Sequence, residues 1–122
     1  MTDSKFQQLV AEALDALPDQ FRDALKNIAI VVEEWPSEET RREMNLPSKY
    51  DLLGLYQGTP LPEREHGAGV FLPDVITLYR GPIERLCRTD RDRRREIAKT
   101  LFHEVGHYFG LDDERLAELG FE

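Results

Sequence analysis

Several residues near the C-terminus have the types and the spacing of a metal site with a base beside it. His103 and His107 are four positions apart, and residues at that spacing lie on the same face of a helix. Two imidazoles placed in this way can bind one metal ion, and the helical H-E-x-x-H pattern is typical of zinc-dependent peptidases. Glu104 lies one step around the helix, beside the ion, where a general base would stand. The stretch therefore predicts a zinc hydrolase or the remnant of one.

Three acidic residues that follow the histidines compete for the role of third ligand. Gly110 lets the chain leave the helix, after which Asp113 can return to the metal. The spacing favours Asp113, because it holds the place of the third ligand in the longer metzincin pattern. Asp112 fits better as the N-cap of a final helix or as a partner of a ligand. Glu114 fits as favourable charge in the first turn of that helix.

The metal pattern lies on a segment that has the period of an α-helix. Thr89, with an acidic residue three positions on, is a capping signal at its start. Apolar residues recur at helical spacing along one side, namely Ile97, Leu101, Val105 and Tyr108. Thr100, His103 and His107 fall on a neighbouring polar face. The pattern therefore predicts a helix with one buried side and one metal-binding side.

The rest of the chain predicts further helices and three short strands. We expect a helix capped by Ser4 that runs to Leu17, a short helical turn at 21–25 and another at 37–44. Strands are expected at 28–32, 52–56 and 75–79, followed by the metal-binding helix and a final helix at 112–119. The β-branched run at 28–32 reads as a central strand. This order predicts an α+β fold, in which a small mixed sheet is backed by helices.

Length, composition and cysteine content favour one cytoplasmic domain that spans residues 1–122. No stretch has the length of a membrane span, and the N-terminus lacks the pattern of a signal peptide. Cys87 is the only cysteine, so an intrachain disulfide is impossible, which suits a reducing compartment. We expect its side chain to pack as a small apolar residue just before the metal-binding helix. We expect no membrane partner.

The charge balance argues against nucleic acid as a partner. The net charge of the chain is −8, which would repel a phosphate backbone. One basic cluster interrupts this balance and consists of Arg85, Arg88, Arg91, Arg93, Arg94 and Arg95. Acidic residues are mixed into it, so the cluster is expected to be a solvated helix face with short-range ion pairs.

Three stretches of the chain resemble the mini-zincins, small bacterial proteins of the zincin-like metallopeptidase group. The stretches are LLGLYQGTPL, LPDVITLYRGPIER and HEVGHYFGLDDERLAELG. The resemblance covers almost the whole chain and is most specific in the last stretch. It implies a compact zincin-like core with the active-site helix near the C-terminus. It also implies a Zn²⁺ site of the Asp-zincin type, with His103, His107 and Asp113 as ligands and Glu104 as base.

The resemblance also implies how a peptide or protein substrate would bind. In zincins generally, an edge strand ahead of the active helix pairs with an extended substrate, and Val75–Tyr79 would be that strand. Residues 114–122 contain no Tyr, His or Met, so a Met-turn and a downstream donor to the developing oxyanion are both missing. The upstream candidates for that donor are Tyr79, Arg80 and His66, each of which also has a structural or solvated interpretation.

Two functions remain open at this point. The first is a zinc-dependent peptidase with a shallow, open site, suited to a flexible peptide or completed by a second subunit in a homo-oligomer. The second is a zinc-binding module without turnover that binds or regulates a partner. Glu104 favours the first function, since a purely structural zinc site needs no base. The missing downstream donor favours the second.

Overall fold

A computed structural model of the chain describes residues 2–59 and 73–118. The elements in chain order are α1 (Asp3–Asp15), α2 (Asp19–Leu25), β1 (Ala29–Glu33), α3 (Glu38–Glu43), β2 (Gly54–Gln57), β3 (Val75–Tyr79), α4 (Arg80–Arg85), α5 (Asp90–Tyr108) and α6 (Asp113–Glu118). Helices and a small mixed sheet form the α+β architecture that the sequence predicts.

The three described strands form a sheet in the order β1-β3-β2. Ile76 of β3 lies opposite Ile30 of β1, which runs parallel to it, and opposite Tyr56 of β2, which runs antiparallel. Two predictions are therefore wrong. The strand Val75–Tyr79 is central rather than an edge, and the strand near residues 28–32 is an edge rather than central. Among the described residues, β1 and β2 form the two edges of the sheet.

The positions of β1 and β3 are the reverse of the prediction for a physical reason. β-branched residues favour any pleated, half-buried surface, and an edge strand that packs against a core offers one. In β1, Ile30 and Val32 pack against the core while Val31 is 39% exposed. In β3, Ile76 and Leu78 are fully buried. An apolar run thus indicates a strand, but the path of the later chain decides which neighbours that strand acquires.

The hydrophobic core lies between the sheet and the helices α1 and α5. Helix α1 contributes Phe6, Leu9, Val10 and Ala13. The predicted apolar row of α5 is buried in full, which confirms the buried side of that helix; it consists of Ile97, Leu101, Val105 and Tyr108. None of the helices in residues 2–59 and 73–118 combines the length and the apolar character that a membrane crossing requires.

The first helix begins earlier than the sequence predicts. Its N-cap is Thr2, whose side chain accepts a hydrogen bond from the Lys5 N–H at 3.2 Å, so Ser4 lies inside the helix and the predicted cap is wrong. Both residue types cap helices well, and capping at Thr2 places Asp3 in the first turn, where its charge is favourable. The predicted polar loop at 63–69, with His66, lies outside the described residues.

Candidate metal centre

Helix α5 begins and ends as its sequence predicts. The Thr89 side chain accepts a hydrogen bond from the Asp92 N–H at 3.1 Å, which confirms the predicted N-cap. After Tyr108 the helix stops, and Gly110 takes the left-handed conformation with a φ of +86°. The Gly110 N–H donates to the carbonyl of His107 at 2.9 Å. The chain therefore reverses direction directly after the second histidine.

Helix α6 follows this reversal and carries Asp113 back towards α5. Asp112 caps the helix, because its Oδ1 accepts a hydrogen bond from the Arg115 N–H at 2.8 Å. The predicted role of Asp112 as N-cap is thus confirmed. Leu116 is 1% exposed and packs on Gly106 of α5, where an added Cβ would lie 2.3 Å from Leu116 Cδ2. A glycine at this position lets α6 approach α5 closely enough for Asp113 to reach the histidines.

Three side-chain atoms converge at this junction in an almost equilateral triangle. The Nε2 atoms of His103 and His107 are 3.1 Å apart. Asp113 Oδ1 lies 3.1 Å from His103 Nε2 and 3.2 Å from His107 Nε2. Hydrogen bonds cannot explain all three contacts, because when each Nε2–H donates to the carboxylate no acceptor is left between the rings. All three atoms can instead lie about 2.0–2.2 Å from one point, the distance at which zinc binds such ligands. The donor set fits a zinc ion.

Glu104 lies beside this triangle and is almost completely buried, at 6% exposure. Its Oε1 accepts a hydrogen bond from the backbone N–H of Tyr56 on β2 at 2.9 Å. Burial raises the pKa of Glu104, while His107, His103 and the Tyr56 N–H act in the opposite direction. The potential ligand atoms of His103, Glu104 and His107 lie within 4.8 Å of one another. Both carboxylates, Asp113 and Glu104, are therefore within reach of an ion held by the two histidines.

A cleft of about 850 Å³ opens beside the candidate metal centre. One wall is strand β2, and the other consists of the metal-binding face of α5 and the turn that leads to α6. Strand β2 lies very close to α5, because a Cβ at Gly54 would be only 2.6 Å from Thr100 Cγ2. This close approach brings the Tyr56 N–H within reach of Glu104.

Sequence reasoning missed three residues that support the site. Gly106 and Gly54 each carry a signal: glycine inside a helix costs about 1 kcal/mol relative to alanine, and glycine inside a strand often marks a close approach of two backbones. Tyr56 carries no such signal, since it acts on Glu104 through a backbone N–H that every residue except proline possesses.

The candidate oxyanion donors named from the sequence do not line the cleft in the described part of the chain. Tyr79 is 2% exposed, and burial raises the pKa of its hydroxyl, with a smaller contribution from Glu33. Arg80 forms ion pairs with Asp3 at 2.9 Å and with Glu34 at 3.7 Å. His66 lies outside the described residues.

The remaining residues considered from the sequence lie in the core or on the surface of the protein. Tyr108 is buried, and its ring makes an edge contact with the Tyr56 ring at 6.0 Å between centroids. Glu114 is exposed in the first turn of α6. In the basic cluster, Arg93 forms the expected short-range ion pair with Asp90 at 3.2 Å, although its side chain is only 20% exposed. Arg94 pairs at 3.4 Å with Glu12 of α1, which is distant in sequence.

Comparison with known proteins agrees with this geometry. The sequence profile of a family described as Zincin-like metallopeptidase matches residues 25–121. The match covers most of the chain and includes the sheet, α5, α6 and every residue of the candidate metal centre. A search of curated proteins finds no significant match. The chain therefore belongs to the zincin-like metallopeptidase family.

Proposed function

We propose that the protein is a zinc-dependent peptidase that cleaves an extended segment of a peptide or protein. One observation carries the proposal: Glu104 lies beside the triangle of His103, His107 and Asp113, and its carboxylate is held by a backbone N–H of strand β2. Membership of the zincin-like metallopeptidase family supports the same activity. The proposed metal ligands, the base and the strand that would bind an extended peptide all line one cleft.

In this proposal, His103, His107 and Asp113 would hold the zinc ion. Zinc bound there supplies a Lewis acid for the substrate carbonyl and lowers the pKa of a bound water. Asp113 brings a negative charge that a third histidine would lack, which lowers the net charge of the site. Glu104 is the less suitable third ligand, because one of its oxygens already accepts the hydrogen bond from Tyr56.

Glu104 acts as the general base. Because Oε1 is bound to the Tyr56 N–H, the carboxylate has a fixed orientation and Oε2 is left to take up a proton. That oxygen accepts the proton of the attacking water and later donates it to the amine that leaves. The position of the base is therefore set by β2 as well as by its own helix.

Strand β2 is the surface on which an extended substrate binds. The Tyr79 N–H donates to the Leu53 carbonyl at 2.9 Å, and bonded and non-bonded pairs alternate along antiparallel strands. The backbone groups of Gly54 and Tyr56 therefore face away from β3. A peptide can pair with the N–H and C=O of Gly54. This edge replaces the strand Val75–Tyr79, to which the resemblance to zincins gave the role.

The alternative is a zinc-binding module without turnover, and one observation favours it. Tyr79 and Arg80, two of the three candidate oxyanion donors, have partners elsewhere and do not line the cleft. A site that lacks such a donor stabilises the transition state less well. Zinc binding and peptide hydrolysis must therefore be measured separately.

The test compares the wild-type protein with the Glu104→Gln variant. Glutamine keeps an oxygen that can accept the Tyr56 N–H but cannot act as a base. Zinc content and cleavage of an unstructured protein and a peptide library are measured, with products identified by mass spectrometry. We expect about one zinc per chain in both proteins and cleavage only by the wild type.

The double variant His103→Ala/His107→Ala is the control and should lose zinc and cleavage together. Wild-type rates in Glu104→Gln would eliminate Glu104 as the base. Zinc binding without any cleavage by the wild type would support the module without turnover.

A further inference from the structure

Two basic side chains lie over two aromatic rings at the surface of the protein. Lys49 Nζ is 4.3 Å from the centre of the Trp35 ring, and Arg85 Cζ is 3.9 Å from the centre of the Tyr50 ring. The two rings make an edge contact at 5.3 Å between centroids. We name these four residues the cation–aromatic cluster. It joins the segment after β1, the loop before β2 and the last residue of α4.

The two rings restrict where the cations can lie. A Cβ at Gly81 would be 2.5 Å from the Trp35 ring, so the indole packs directly on the backbone of α4. The loop that carries Lys49 is a tight turn, because the Tyr50 N–H donates to Ser48 Oγ at 3.2 Å. A long side chain that already rests on a ring face loses less conformational freedom when it binds a ligand. The cluster is therefore partly organised for binding.

Neither cation of the cluster forms an ion pair with an acidic residue in the described part of the chain. The acidic residues that are close to the cluster in sequence are bound to other groups. Glu34 pairs with Arg80 at 3.7 Å. Glu84 pairs with Arg93 at 3.5 Å. The Asp51 carboxylate accepts a hydrogen bond from a backbone N–H of its own loop at 3.2 Å. The two cations therefore keep N–H donors for an acidic ligand.

The chemistry of the cluster fits a short acidic segment of a protein. Lysine and arginine both bind carboxylates, and arginine can do so with two parallel hydrogen bonds. Tyr50 is 39% exposed, so its ring also offers an apolar surface to the neighbouring side chains of such a segment.

A long polyanion such as nucleic acid fits the cluster less well. Its phosphates would extend past the two cations and meet Glu34, Asp51 and Glu84, which lie next to the cluster in sequence. The net charge of −8 would repel it as well. A segment with only a few carboxylates avoids both costs.

We propose that the cation–aromatic cluster is a docking site for an acidic segment of another protein, with one carboxylate bound to Lys49 and another to Arg85. The proposal requires neither zinc nor turnover and is independent of the peptidase function proposed above. Leu52, two positions after Tyr50, lines the cleft beside the candidate metal centre. A segment that docks at the cluster therefore lies close along the chain to one wall of that cleft.

The fluorescence of Trp35 tests the proposal, because Trp35 is the only tryptophan in the sequence. Two eight-residue peptides of glycine, serine and one leucine carry either four glutamates or four glutamines. Each is titrated into Glu104→Gln protein, in which the peptide stays intact. We expect the glutamate peptide alone to change the Trp35 emission in a saturable way. Binding should be lost at an ionic strength of about 1 M, where the screening length is about 3 Å.

The variant Lys49→Gln/Arg85→Gln, in the same background, should bind the glutamate peptide about fivefold or more weakly, because two charge pairs are lost. Arg22→Gln/Lys26→Gln is the matched control. It removes the same charge from α2, where both cations pair with acidic residues of their own helix, and should keep the full affinity. Lys49→Arg/Arg85→Lys keeps both charges and should keep most of the affinity.

Four results would each overturn the proposal. They are absence of binding, equal binding of the two peptides, full affinity in Lys49→Gln/Arg85→Gln, and an equal loss of affinity in Arg22→Gln/Lys26→Gln. Tighter binding of a short single-stranded DNA than of the glutamate peptide would also overturn it and would make the cluster a site for nucleic acid.

Discussion

The backbone N–H of Tyr56 donates to the carboxylate of Glu104 at 2.9 Å, across 48 residues of sequence. By contrast, the three proposed zinc ligands lie close together between His103 and Asp113. The metal site therefore depends on α5 and α6, whereas the orientation of the base depends on the sheet. Substitutions in β2 and in α6 should separate these two properties.

Replacement of Gly54 by alanine should reduce catalysis more than zinc binding. The added Cβ would lie 2.6 Å from Thr100 Cγ2 and 3.3 Å from the Thr77 carbonyl oxygen, so β2 must move away from α5. This movement displaces the Tyr56 N–H from Glu104. We expect peptide cleavage to fall about 10- to 100-fold while zinc affinity stays near the wild-type value. Rates and zinc affinity are measured on the same preparation.

The double variant Gly54→Ala/Thr100→Ser is the matched control for this prediction, because serine lacks the Cγ2 atom that the new Cβ meets. It should recover part of the lost rate. A parallel fall of zinc affinity and activity in Gly54→Ala would show that the sheet and the metal site are not separable.

Replacement of Gly106 by alanine should destabilise the protein, although helix propensity alone predicts the opposite. Alanine favours a helix interior by about 1 kcal/mol relative to glycine. The new Cβ would lie 2.3 Å from Cδ2 of the buried Leu116, and such overpacking costs about 1–3 kcal/mol. Urea unfolding of the metal-free protein measures the change. Zinc affinity should fall as well, since displacement of α6 moves Asp113.

A double-mutant cycle with Leu116→Ala supplies the control for Gly106→Ala. The two substitutions should be strongly non-additive, because the shorter side chain makes room for the new Cβ. A Gly106→Ala protein that is more stable than the wild type would contradict the close contact between α5 and α6.

Replacement of two neighbouring aspartates by asparagine should change the zinc affinity to different extents. Asp113→Asn removes the charge of the proposed ligand. Zinc affinity should therefore fall by more than the roughly 10- to 100-fold typical of partners outside the ligand set. Asp112→Asn keeps a good N-cap for α6, so zinc affinity should change little. Competition with a chromophoric chelator measures the zinc affinity of both variants. A larger loss of affinity in Asp112→Asn than in Asp113→Asn would make Asp112 the ligand.

The thiol of Cys87 should react slowly at mildly alkaline pH. Burial raises its pKa, and the charges of Glu96 and Asp92 raise it further, while Arg93 opposes them. A raised pKa leaves less thiolate at a given pH, and the thiolate is the reactive form. Alkylation by iodoacetamide at pH 8 should therefore be slower than that of glutathione, with the half-maximal rate reached at a higher pH.

The substitution Glu96→Gln tests the electrostatic part of this explanation. It removes a negative charge near the thiol, so the pKa of Cys87 should fall and alkylation at pH 8 should accelerate. Glu39→Gln, an exposed change on α3, is the matched control and should have no effect. An unchanged rate in Glu96→Gln would exclude Glu96 as a cause and leave burial and the charge of Asp92.

Local sequence signals predicted the parts of the fold that depend on neighbours in the chain. Thr89 and Asp112 were both assigned as helix caps, and each accepts the expected hydrogen bond. The spacing of His103 and His107 brought both rings to one side of α5. These features depend on contacts between residues a few positions apart, which can be inferred directly from a sequence.

Features that depend on distant segments were predicted wrongly or not at all. The order of strands in the sheet is set by how β3 inserts between β1 and β2, and an apolar run does not encode its partners. The bond from Tyr56 to Glu104 uses a backbone group that has no sequence signature. For the close contact of Gly106 with Leu116, the sequence contains only a weak signal, which is a glycine inside a helix.

The edge that β2 forms among the described residues has a further consequence for the behaviour of the protein in solution. Unpaired N–H groups on an edge strand are templates for strand-to-strand aggregation between molecules. Glu104 occupies one of these groups and sets a carboxylate beside the edge. We therefore expect the residue proposed to activate water also to protect this N–H from pairing between molecules. An inactive protein made with alanine at this position would lose that protection, whereas one made with glutamine would keep the hydrogen bond.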